Sequence, residues 1–67
     1  MKIDVKKLEM ALANAGMNNS QVARQADITR CTLINAKKGK NVRPYVIGNI
    51  AKALGVEIDE IIEKDDE

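Results

Sequence analysis

The 67-residue sequence has no histidine, tryptophan or phenylalanine, and one each of tyrosine (Tyr45), proline (Pro44) and cysteine (Cys31). Without histidine and with a single thiol, the usual zinc ligand sets and any disulfide framework are excluded, and a reducing cytoplasm suits the chain. No apolar run approaches the roughly 18 residues of a membrane span. The opening MKIDVKKLEM has no apolar stretch followed by a small-residue cleavage site, so neither a membrane anchor nor a targeting segment is expected. The usual parts of an active site are also missing: there is no histidine base, and no phosphate-cradling loop or concave site is implied. Asp59 and Glu63, four apart on a predicted helix, could face a hard cation. They read instead as a solvated face, and no enzyme, metal or cofactor is expected.

What is present is aliphatic and charged. Apolar residues make up 45% and charged residues 31% of the sequence, which suits one small globular domain over residues 1–67, its core built from Leu, Ile, Val, Ala and Met. The formal charge of +1 conceals a strong asymmetry. Between positions 24 and 43, Arg24, Arg30, Lys37, Lys38, Lys40 and Arg43 face only Asp27, a net +5. From Glu57 onward, seven acids face only Lys64, a net −6. A polyanion would meet the basic middle rather than the average. The acidic end, about 63–67, is too charged to bury and is expected to fray.

Apolar spacing predicts five short helices and no strand. Val5, Leu8, Leu12 and Ala15 form the stripe of the first, stopped by Gly16. Asn18, three residues before Gln21, has the form of a capping box for a second helix whose inward side is Val22, Ala23 and Ala26. The chain turns at Asp27. Thr29 caps a third helix from Arg30 to about Lys37, with Leu33 and Ala36 inward and Gly39 as its left-handed stop. After the loop KKGKNVRP, Pro44 opens a fourth helix with Ile47, Ile50, Ala51 and Leu54 buried and Gly55 at its end. Val56, Ile58, Ile61 and Ile62 support a fifth.

Two short helices joined tightly, the second capped by threonine and followed by a basic loop, are the parts of a helix-turn-helix. Ala23 occupies the place where such helices cross closely, and Leu33, ten residues on, is the anchor of the second. Across MNNSQVARQADITRCTLINAKKGK and IAKALGVEIDEII the sequence resembles the Cro and phage-repressor (XRE-like) family, from about Val5 to Ile62. The resemblance implies an all-α, compact bundle of five short helices that acts as a sequence-specific, double-stranded DNA-binding transcriptional regulator. It further implies that the third helix lies in the major groove of a palindromic operator.

Carried over residue by residue, the resemblance places Arg30, Cys31, Ile34 and Asn35 against base edges. Their chemistry agrees: arginine pairs bidentately with guanine, asparagine with adenine, and Ile34 can touch a thymine methyl. Ile34 could instead join the core, but Leu33 and Ala36 already define the inward side, which favours the groove. Cys31 is small enough for close approach; its other role, a redox switch, has less behind it. Phosphate contacts fall to Asn18, Asn19, Thr29, Lys38, Lys40, Arg43 and Tyr45. Val56, Ile58 and Ile62 are surplus apolar residues near the C-terminus and form the expected homodimer interface on DNA. No small-molecule ligand is implied. Because the outward residues of the second helix are Gln21, Arg24 and Gln25 rather than acids, repression by occlusion is expected over activation.

The pattern departs from the family at several points. Glycine is frequent in the family at the position of Asp27, where the turn is left-handed. Many members also pair an arginine at the position of Leu12 with a glutamate at that of Lys37. Here both have changed, which predicts a packed lysine stem and an ammonium freed to lie beside phosphates. Ala36 stands for a larger apolar residue, with Met17 or Met10 expected to fill the space. A second reading places a protein-interaction module on the same fold, such as an antitoxin-like or anti-repressor partner; net charge near zero favours it and the basic middle opposes it.

Overall fold

The computed structural model describes residues 2–63. Four α-helices run in the order α1 (Val5–Ala15), α2 (Asn19–Gln25), α3 (Arg30–Lys37) and α4 (Pro44–Leu54), followed by a single 3-10 turn at Ile58–Glu60. No helix among the described residues is long and apolar enough to cross a membrane.

Local chemistry accounts for the helix boundaries. The Lys7 backbone N–H donates to the Asp4 carboxylate and opens α1, and Gly16 closes it at φ 68°. At α2 both halves of the capping box form: the Gln21 N–H donates to Asn18 Oδ1 at 2.8 Å, and the Asn18 N–H to Gln21 Oε1 at 3.0 Å. The Thr32 N–H donates to Thr29 Oγ1 at 3.1 Å to start α3. Pro44 stands in the first turn of α4, where its missing N–H costs no helical bond.

The core is aliphatic throughout. Leu8, Val22, Leu33, Ala36, Ile47 and Ile50 are fully enclosed, and the buried set contains no polar side chain. Ala23 is 2% exposed, which lets α2 lie close to its neighbours. The buried side of α1 is Leu8, Ala11 and Leu12, whereas Val5 and Ala15, both predicted inward, are exposed. Ile3, in the extended segment before α1, takes the place of Val5 at the core. Met17 is partly buried and packs against the core, whereas Met10 is 66% exposed and fills nothing.

The fifth helix does not form. Four of the seven residues from 56 to 62 are β-branched, and such side chains lose rotamer freedom in a helix. Beyond the 3-10 turn the backbone extends so that Ile62 forms an antiparallel bridge with Ile3. The Asp4 N–H donates to the Ile61 carbonyl at 2.9 Å and the Glu63 N–H to the Lys2 carbonyl at 3.0 Å. Ile3 and Ile61 are both fully buried, so the two ends of the domain hold each other over its core. Asp59 and Glu63 therefore share no helical face, and Glu63, expected to fray, is tied by its backbone. The remainder of the predicted frayed end, residues 64–67, lies outside the described residues.

Asp27 has φ 60°, the one left-handed non-glycine among the described residues. Glycine avoids the Cβ–carbonyl crowding of that conformation. Asp27→Gly should therefore stabilise the domain by about 0.5–1 kcal/mol after allowing for the entropy of the unfolded chain. A thermal midpoint unchanged or lowered by the substitution would show that the turn is unstrained.

Candidate nucleic-acid interface

With Leu33 and Ala36 turned fully inward, α3 and its C-cap Lys38 present Arg30, Cys31, Ile34, Asn35 and Lys38 to solvent. Cys31, Ile34, Asn35 and Lys38 stand at spacings of three and four, the period of one helical face. Ile34 is 43% exposed, so its side chain is not part of the core. The four predicted base-reading residues thus lie on an accessible side of one rigid element, held from behind by a sealed apolar contact.

Around this face the predicted phosphate residues fall into two groups. Lys38, Lys40, Arg43 and Tyr45 are exposed, and the first three are cations without an ion-pair partner among the described residues. Tyr45 is 62% exposed and borders a shallow cleft with Thr32, Asn35, Asn41 and Arg43. Thr32 and Asn41 went unnoticed in the sequence; the three-residue spacing from the cap Thr29 was the available signal for Thr32.

The second group already has internal hydrogen bonds. Asn18 uses its carbonyl oxygen to cap α2. Thr29 Oγ1 accepts from the Thr32 backbone and lies 2.9 Å from Thr32 Oγ1. Whichever hydroxyl donates within that pair, the other keeps a hydrogen for an outside acceptor. Asn19 Oδ1 accepts from Lys37 Nζ at 3.0 Å.

Lys37 does not match its expected role. Its ammonium is 2.8 Å from Glu9 Oε2 in the one ion pair among the described residues, with the lysine side chain 17% exposed and the glutamate 55%. It is therefore not a free cation beside the phosphates. Leu12 and Met17 border the same shallow pocket as Lys37, so the lysine stem does pack at the expected corner. The partner of its charge lies one turn back along α1, at Glu9, a reversal of polarity that the pairing of positions 12 and 37 did not reveal.

Near the C-terminal end, Ile58 is 36% exposed. Val56 and Ile62, the other two residues expected at a dimer interface, are half-buried and pack against the core. Val56 instead borders a shallow groove with Met10, Ala11 and Glu60.

The sequence model of the Cro/C1-type helix-turn-helix DNA-binding domain matches residues 7–67. The chain belongs to that family. As a Cro/C1-type domain it is a DNA-binding module, and α2 and α3 are the pair of helices for which the family is named. Its fold is similar to that of the restriction-modification controller protein C.AhdI from Aeromonas hydrophila, with a TM-score of 0.75 at 23% identity, covering 84% of this chain and 86% of that one. No curated protein matched the sequence.

Proposed function

We propose that this Cro/C1-type domain is a sequence-specific regulator of transcription that inserts α3 into the major groove and represses by occupying its operator. The observation that carries this reading is the exposed face of Arg30, Cys31, Ile34 and Asn35, set on a helix whose opposite side is fully buried. Direct readout needs side chains of this kind held rigidly at groove depth. Lys38, Lys40 and Arg43, with Asn18, Asn19, Thr29 and Tyr45, would grip the backbone on either side and set the register. Sharing its architecture with a restriction-modification controller is compatible with a regulatory role. With Gln21, Arg24 and Gln25 exposed on α2, occlusion fits better than recruitment of polymerase through an acidic patch.

One helix reads only a few base pairs, so binding as a two-fold pair on a palindrome, with reading helices about 34 Å apart, would supply the remaining specificity. Ile58 is the exposed apolar residue that suits the contact between copies. Selection of bound sites from random DNA tests the reading: enrichment of a palindrome with two half-sites about one helical turn apart is expected. Ile58→Asp should abolish binding to the full palindrome with helical content unchanged. Enrichment of no sequence would remove the regulator reading, and an Ile58→Asp variant as tight as wild type would place the interface elsewhere.

A further inference from the structure

Glu9, Lys37 and Asn19 bring α1, α3 and α2 together through one ammonium group. A lysine ammonium can only donate hydrogen bonds. It therefore decides the orientation of the Asn19 amide, whose oxygen must face Lys37; the flipped amide would set its NH2 against three N–H donors. The NH2 end is left for another acceptor, and a phosphate is an acceptor only. Lys37 has little exposed surface from which to make such a contact, and Glu9 already opposes its charge at 2.8 Å.

We propose that Lys37 is a positioning residue for DNA binding: clamped by Glu9, it holds the Asn19 amide as an outward donor to a backbone phosphate and makes no phosphate contact itself. The inference rests on the proposed DNA-binding function, in which Asn19 is a phosphate contact. It assigns opposite behaviour to two consecutive cations, Lys37 acting through Asn19 and Lys38 meeting DNA directly.

Counterion release separates the two modes, because a neutral amide neutralises no phosphate. On a random-sequence DNA duplex at low salt, Lys37→Met should weaken binding roughly ten- to hundredfold, the worth of one hydrogen bond to a charged group. The slope of log affinity against log salt should not change, whereas loss of a direct lysine contact would reduce it by about 0.9. Asn19→Ala should weaken binding as much, again at constant slope, and the double variant should bind no more weakly than either single one. Lys37→Arg, which keeps the donors and the charge, should restore binding.

A reduced slope for Lys37→Met, or additive losses in the double variant, would overturn the positioning role. So would a variant with a lowered thermal midpoint but unchanged affinity well below it, since that is a purely structural effect. Should Lys37→Met fail to fold, Asn19→Ala leaves Lys37 in place and still decides the matter: unchanged affinity overturns the inference. Wild-type protein that binds no duplex would defeat the proposed function itself, an outcome distinct from wild-type binding that the variants match.

Discussion

Ile61→Ala should leave the domain close to unfolding. The side chain is fully buried, and removing the equivalent of three methyl or methylene groups from a packed site costs about 2–5 kcal/mol. A domain of 67 residues holds only about 3–10 kcal/mol in total. The loss extends to Ile3, which is also fully buried and is held by the backbone bridge to the same segment. Ile58→Ala, three residues away on a 36% exposed side chain, should cost clearly less, about 1 kcal/mol. Urea unfolding of the two variants provides the measurement. Equal midpoints would mean that the C-terminal segment is not part of the cooperative unit.

Arg30→Ala should relax sequence preference rather than binding as such. Loss of a bidentate contact to guanine removes about 1–3 kcal/mol of discrimination at one base pair. Affinity for random DNA should change much less. Lys40→Ala should do the reverse, weakening selected and random duplexes equally and reducing the salt slope by about one. The contrast follows from position: Arg30 opens the exposed side of α3, while Lys40 lies in the loop beyond Gly39. Titration of both variants against a selected site and a random duplex would show it, and equal losses on both duplexes for both variants would dismiss α3 as the reading element.

The parts of the fold that were legible in the sequence are those decided within a few residues. Asn18 with Gln21, Thr29 before Arg30, and the left-handed Gly16, Gly39 and Gly55 place helix ends through bonds between near neighbours. Ala23 and Leu33 were legible because the pattern of small and large apolar residues in two crossing helices is itself local. The segment from Val56 to Ile62 was not, because its shape depends on Ile3 at the other end of the chain. Apolar spacing alone could not reveal that Ile61 reaches the core from an extended backbone. At the interface, exposure of Arg30, Cys31, Ile34 and Asn35 followed from the buried Leu33 and Ala36. The partner of Lys37 was missed for a different reason. Once position 37 had become basic, a carboxylate within one turn of Leu12 was the complement to seek, and Glu9 is that residue.

The place of this ion pair bears on any attempt to transplant recognition between Cro/C1-type domains. Position 37 lies at the end of α3, so a grafted reading helix brings its own residue 37 with it. A donor helix with the glutamate implied by the family pattern would set two carboxylates at the Glu9 site and leave Asn19 without its donor. The graft would then fail at its junction with α1, however well its outward side chains matched the new operator. The transferable unit in this chain is α3 together with residue 9.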